Sequence, residues 1–390
     1  MKKFSIFVLV LIGMILLISR SLSATPAFAR KYSMSCQTCH SPFPKLKSFG
    51  DEFAGNGFVL ADKEASRYFM ETGDEKLSLL RDIPLALRLE GYATYNYKQS
   101  DKLDFTAPYL LKLLSGGSIT KDVSYYFYFF FSERGEVAGL EDAFIMFNNL
   151  FDEDIDLYIG QFQISDPLFK RELRLTFEDY QIYRTTPGLS RSNLTYDRGL
   201  MLTYGTSAGT DIILELLNGT GLSAANTFKI YDDDKYKNAF GRISQEITEG
   251  IRVGAFGYIG KEDLEDNLSN RFTNSFTMWG PDLTLKLKDK LEFNFQYAQR
   301  KDNKPYFFLK DKNTRGLFGE LIFTPDGDES SWYAVALYNW VDSDLDALDY
   351  NSGTISLGYL LRRNIRLVGE FTYNPDKKYG QIGVGIISAF

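Results

Sequence analysis

The chain has 390 residues and a formal net charge of −7, and its 25 Tyr and 32 Phe make it far richer in aromatics than an ordinary globular protein. The acidic balance argues against nucleic acid as a partner, since that ligand requires a basic face. Two Cys and one His leave a structural zinc site short of the four or so nitrogen and sulfur ligands it takes.

Residues 1–24 read as a secretory signal peptide: Lys2 and Lys3, an apolar run from Phe4 to Ile18, then small residues before Thr25. Cleavage after Ser23 or Ala24, or at the Ala27-Phe28-Ala29 triplet, fits the pattern equally. No later run of about 18 apolar residues follows, so no transmembrane helix is expected.

Residues 30–82 form a segment of their own, organised around Cys36-Gln37-Thr38-Cys39-His40. Two thiols two residues apart, with a histidine directly after the second, are the spacing for covalent attachment of one haem c. Cys36 and Cys39 would add to the vinyl groups as thioethers, and His40 would be the proximal ligand of the haem iron. A redox or structural disulfide is the other reading of the pair. After the motif, Leu46, Phe49 and Phe53 share one stripe of a short helix that Gly55, Gly57 and Phe58 end. A second helical stretch is expected from Asp62 to Glu71. It carries Met70, the first candidate for the distal iron ligand. Met34 lies too close to the attachment side, Met146 and Met201 fall on inward strand faces, and a five-coordinate iron or ligation by Lys or Tyr stays open. So small a segment cannot bury its apolar face alone and needs the haem and a neighbouring wall.

From residue 83 to 390 the hydrophobic period becomes two. Leu87, Leu89, Ala93 and Tyr95 alternate with Arg88, Glu90, Thr94 and Asn96; Leu291, Phe293, Phe295 and Tyr297 alternate with Glu292, Asn294 and Gln296. Sixteen such stretches follow one another, the first at 83–98 and the last at 379–390, each about the length of a tilted membrane strand. The fold expected is mostly β, a transmembrane antiparallel β-barrel of about 16 strands, with the small N-terminal α-helical haem segment plugging the lumen. Tight links at Thr120-Lys121, Ser207-Ala208-Gly209, Thr248-Glu249, Lys288-Asp289 and Arg362-Arg363-Asn364 alternate with mostly longer ones, as in outer-membrane barrels. The lipid cost of a buried charge turns Arg88, Lys286 and Arg366 inward, beside Glu90, Glu292 and Glu370. The longest link, Ser165 to Ser192, carries Lys170, Arg171, Glu172, Arg174, Glu178 and Asp179 and reads as a solvated outer loop, with folding into the mouth the alternative. Asp232, Asp233 and Asp234, and separately Asp342, Asp344, Asp346 and Asp349, read as exposed acidic loops.

Phe28-Ala29-Arg30, the Cys36 to His40 motif, the run Phe43-Pro44-Lys45-Leu46-Lys47-Ser48-Phe49-Gly50 and a barrel ending on Phe390 together resemble the fused outer-membrane monohaem cytochrome-porins, whose members include iron-oxidising proteins of chemolithotrophic bacteria. The resemblance implies an outer-membrane protein, surrounded by lipid, that passes electrons between an extracellular donor or acceptor such as iron and a periplasmic c-type cytochrome; Fe(II) oxidation is the enzymatic form of that expectation. Cys36, Cys39 and His40 carry over one for one, and no motif supplies the distal ligand. A solute porin with the haem segment as plug or gate, and a haem-based sensor, are the competing readings.

Overall fold

The computed structural model describes residues 27–60, 70, 73–74, 76–81, 83–98, 102–133, 135–137 and 139–390. The signal peptide expected over 1–24 lies outside them, as does all of the second helical stretch except Met70.

Sixteen antiparallel strands close on themselves: β1 (Leu85–Tyr97), β2 (Leu103–Ser118), β3 (Val123–Glu133), β4 (Gly139–Phe147), β5 (Ile155–Gln163), β6 (Tyr196–Gly205), β7 (Thr210–Leu217) and β8 (Asn238–Thr248), then β9 (Ile251–Glu265), β10 (Arg271–Leu287), β11 (Leu291–Asp302), β12 (Lys312–Phe323), β13 (Trp332–Ser343), β14 (Tyr350–Arg362), β15 (Ile365–Asn374) and β16 (Tyr379–Ala389). Each strand pairs with its sequence neighbours, and β1 pairs with β16 from Arg88↔Ala389 to Tyr97↔Gly380. Leu87 and Phe390 exchange both backbone hydrogen bonds at 2.6 and 2.8 Å, so the aromatic C-terminus seals the seam and no sheet edge is left.

The pleat sorts the period-two pattern between two faces. Along β9, Ile259 stands 58% exposed on the outside while its neighbour Tyr258 is fully buried in the interior. Arg88, Glu90, Arg366 and Glu370 are all buried on the inner side, and Lys286 Nζ lies 3.8 Å from Glu292. Outside, Leu214, Ile243, Trp279, Ile355 and Val384 belong to a large exposed apolar surface. The links 119–122, 206–209, 249–250, 288–290 and 363–364 are short and share the end where β1 begins and β16 finishes, here the terminal end. The opposite, loop end carries 164–195, 218–237 and 303–311.

The longest link departs from the expectation of a solvated loop. Residues 164–195 turn into the lumen, where Ile164, Leu168, Tyr180, Ile182, Tyr183 and Leu194 form one apolar cluster with Phe256, Tyr258, Phe276 and Phe318 of the wall. Its charges do not keep it out because they are neutralised inside: Arg171 Nη2 lies 2.5 Å from Asp179 Oδ2, Lys112 Nζ lies 3.0 Å from Glu172, and the backbone N–H groups of Phe177 and Glu178 donate to Glu370. Tyr180 stacks on Phe318 with ring centroids 4.1 Å apart. Backbone that leaves the sheet finds partners too, as where Asn339 donates to the Asp179 carbonyl.

At the terminal end lie three short helices, α1 (Ala27–Tyr32), α2 (Cys36–Cys39) and α3 (Ser48–Gly55). α3 is the helix expected from the Leu46, Phe49, Phe53 stripe, but the stripe splits: Phe53 is buried against Phe28, Tyr32 and Phe58, whereas Phe49 is 39% exposed. Phe28 stacks on Phe58, and Phe58 stacks on Tyr126 of β3. On the other side Lys45 pairs with Glu292 of β11 at 2.7 Å and Lys47 with Asp328 of the β12–β13 link. The segment therefore reaches across the terminal mouth from the β3–β4 wall to the β11–β13 wall.

Candidate haem attachment site

The Cys36–His40 turn is built by its own backbone. Ser35 is in the extended conformation before α2 and its hydroxyl accepts from the Gln37 N–H, a cap for an otherwise orphaned donor. Thr38 N–H donates to Ser35 O and His40 N–H to Cys36 O, which closes a single helical turn. Cysteines three apart on such a turn share one side of it, and both thiols are unpaired and half-buried. Burial pushes both thiols above their ordinary pKa.

His40 leaves the turn extended and bridges to Leu46, with Ser41 N–H on Lys45 O and Lys47 N–H on Cys39 O. That small loop carries the Pro44 carbonyl back over the histidine, whose Nδ1 is 2.7 Å from it. A carbonyl can only accept, so Nδ1 carries the proton and Nε2 keeps its lone pair. Burial lowers the His40 pKa and favours this neutral ring. Gly50 lets α3 close down on α2: a Cβ there would lie 2.4 Å from the Cys39 carbonyl oxygen.

Cys36, His40 and Phe43 line a cleft of about 280 Å³, partly open to solvent, together with Asp328, Leu360 and Arg363 of the barrel. Gln37 donates to the Asp328 carbonyl, which fixes the turn to the β12–β13 link, and Arg363 Nη1 donates to the same carbonyl at 3.4 Å, tying that link to the one between β14 and β15. Two unpaired thiols on one face and a neutral histidine with its proton on Nδ1 are the donor set that a haem c needs.

The structure thus brings Cys36, Cys39 and His40 together. Met70 is half exposed, its N–H donates to Leu79 O at 2.8 Å, and it makes no described contact with the motif. Met146 and Met201 are buried on inward faces, as their strand positions require. The sequence reading missed the anchoring pairs Lys45–Glu292 and Lys170–Asp51, the second 3.2 Å long and linking the lumen loop to α3; partners this far apart in the chain leave no local signal. The acidic loops carry their own cations: Asp233 and Asp234 face Arg191, Asp232 faces Lys237, and Asp342 faces Arg315.

No protein-family model and no curated protein matches the chain. Solved structures do match. The outer membrane channel DcaP of Acinetobacter baumannii superposes with a TM-score of 0.55 at 16% identity, covering 79% of this chain and 97% of its own. An anion-selective porin from Comamonas acidovorans gives 0.56 at 11% identity over 79% and 99% of the two chains. OmpF of Salmonella typhi, in complex with daunomycin, gives 0.55 at 11% over 79% and 97%. The chain is a closed sixteen-stranded β-barrel of porin-like fold.

Proposed function

We propose that this chain is an outer-membrane protein in which the barrel holds one haem c, through Cys36, Cys39 and His40, at its periplasmic mouth, and passes electrons between a donor or acceptor outside the cell, such as iron, and a periplasmic c-type cytochrome. The observation that carries the reading is the His40 ring, held by the Pro44 carbonyl with its proton on Nδ1, directly after two unpaired thiols on one helical turn. The apolar outer face suits lipid. Short links at the terminal end and longer ones opposite support a periplasmic terminal end, since barrels of this kind keep short turns on that side.

The bound haem would supply a one-electron redox couple. The chain's own residues do the rest. Cys36 and Cys39 tether the group; His40 stays neutral and oriented; Lys45–Glu292 and Lys47–Asp328 fix the segment to the wall. Met70 is proposed as the distal ligand, a thioether that would raise the potential. The packed lumen around residues 164–195 hinders solute diffusion and favours electron passage over it. A hydrophobic band of about 25 Å exceeds the reach of a single haem, so a partner enters at least one mouth.

The reading is tested with the full chain, matured in cells competent for haem c attachment and placed in liposomes that enclose oxidised cytochrome c. Ferrous iron outside should reduce the enclosed cytochrome, and the Cys36→Ala/Cys39→Ala protein should not support it. Absence of covalent haem in the wild-type chain would overturn the reading.

The porin neighbours favour a second function, a solute porin whose segment 30–82 is a plug. Its sign would be a large single-channel conductance after deletion of 30–82, together with no redox activity in the intact protein.

A further inference from the structure

Inside the barrel lies a cavity of about 540 Å³, partly open to solvent, lined by side chains that include Arg88, Glu90, Arg171, Glu172, Arg174 and Arg366. Most of these charges are already paired. Arg88 meets Glu90, Arg171 meets Asp179 at 2.5 Å, and Glu172 meets Lys112 at 3.0 Å. Glu141, also on the lining, accepts from the Tyr128 hydroxyl at 3.2 Å.

Arg366 is different. It is 2% exposed, and among the described residues no carboxylate lies within 4.0 Å of its guanidinium. Its Nη1 donates to the Tyr333 hydroxyl at 2.6 Å, a neutral acceptor, and its Nε is buried with no partner. The Nε atoms of Arg88 and Arg174 are likewise buried without partners, and Arg174 reaches Asp179 only at 4.0 Å, beyond hydrogen-bond range. Arg366 shares the charge of Glu90 with Arg88, to which Glu90 is directly paired, and three unsatisfied N–H donors on one cavity call for a shared acceptor.

We propose that this cavity is a carboxylate-binding site centred on Arg366, with Arg88 and Arg174 as its further donors. A carboxylate offers two coplanar oxygens to the guanidinium fork and so accepts from the unsatisfied N–H groups. The carboxylate has two sources, a small free acid entering the lumen or a propionate of a haem held at Cys36–His40. The site itself does not depend on the haem reading.

The experiment is a titration of succinate, by calorimetry, into the full-length protein in detergent micelles, both haem-loaded and as the haem-free Cys36→Ala/Cys39→Ala variant. Binding to both forms supports the site with a free acid as its ligand. Binding to the haem-free form alone supports it with the propionate as occupant, and Arg366→Gln should then shift the reduction potential of the loaded protein. In either case Arg366→Gln should weaken succinate binding to the haem-free form about tenfold or more. Arg174→Gln, a change in the lumen loop rather than in a strand, should weaken it in the same direction, which guards against a misfolded Arg366 variant; heat-shifted gel mobility reports the closed barrel in each. Succinate binding to neither form, with no shift of potential in Arg366→Gln, would overturn the proposal. So would binding unchanged in both variants.

Discussion

Residues 27–60, across the terminal mouth, and residues 164–195, in the lumen, pack against the same barrel and hold on to it by different means. The lumen loop is part of the barrel's core: Ile164, Leu175, Ile182, Tyr183 and Leu194 are all essentially inaccessible, and the ion pair Arg171–Asp179 is buried with them. The terminal segment buries Ala27, Tyr32, Pro42, Pro44 and Phe53, leaves Phe28, Phe43, Leu46 and Phe58 half-buried and leaves Phe49 open. Its ties to the wall are an aromatic stack at Tyr126 and ion pairs at the mouth. The loop is folded with the barrel, whereas the segment is docked on it and buries little of its own apolar surface, as a segment too small for a core of its own does.

The largest effect that would break this contrast is on the haem itself. Cys36→Ala/Cys39→Ala should abolish covalent haem completely, read by in-gel peroxidase staining, while the barrel keeps its heat-dependent gel mobility. A parallel loss of the barrel would mean that the segment is as integral as the loop.

Next comes Tyr183→Ala in the loop. Tyr183 is fully buried, edge-on to Phe318 and Tyr180, with its hydroxyl donating to Gln296 at 3.3 Å. Its removal should cost about 3–5 kcal/mol in urea unfolding followed by tryptophan fluorescence. The same change at Phe49, already exposed, should fall within about 0.5 kcal/mol in the haem-free protein.

The contrast also explains what could be read from the sequence. The strands were legible because the pleat imposes one period on every one of them: the ranges expected for the first and last, 83–98 and 379–390, differ from the observed ones by two residues at most. The Cys36–His40 turn was legible because its chemistry is local, within five residues. The path of 164–195 was not. Its apolar residues, Ile164, Leu168, Leu175, Ile182 and Leu194, follow no period, and the charges around them suggested solvent. The partners of its polar groups, Lys112 for the Glu172 charge and Glu370 and Asn339 for its backbone, stand on strands remote in the chain. The same holds for Arg366: that it points inward follows from alternation, but that Glu90, the carboxylate whose charge it shares, is paired directly with Arg88 is visible only once the barrel is closed.

A pH titration sharpens the comparison further, because the loop carries carboxyls displaced in opposite directions. Glu172 is held down to about 2: burial alone would raise it, but Lys112, Arg174 and Arg171 outweigh that. Its contribution is fully present above the ordinary value near 4.5 and is lost as the pH falls toward 2, on the order of 3 kcal/mol. Asp166 is raised to about 6, chiefly by burial. Its contribution is fully present below the ordinary value near 3.8 and is lost as the pH rises through 6. Glu172→Gln should flatten the acid limb of the stability profile and Asp166→Asn the limb between about 4 and 6. Profiles unchanged in both variants would show that the loop is solvated after all.

The smallest expected effect lies at the docked segment. Lys47 and Asp328 form an ion pair across the terminal mouth, but their side chains are 32% and 45% exposed, against 10% and 6% for Arg171 and Asp179. Water and salt screen the first pair and not the second, so Lys47→Ala should change unfolding stability by less than about 1 kcal/mol, while Asp179→Ala should cost about 3–5 kcal/mol by leaving buried guanidinium groups without their acceptor. Raising the salt concentration should remove the remaining effect of Lys47 and leave that of Asp179 in place. If Lys47→Ala instead released the segment, seen as proteolysis before α3 in the intact barrel, the aromatic stack of Phe28, Phe58 and Tyr126 would be too weak to hold it alone. The charges at the mouth would then set how firmly the Cys36–His40 turn is presented to its cofactor.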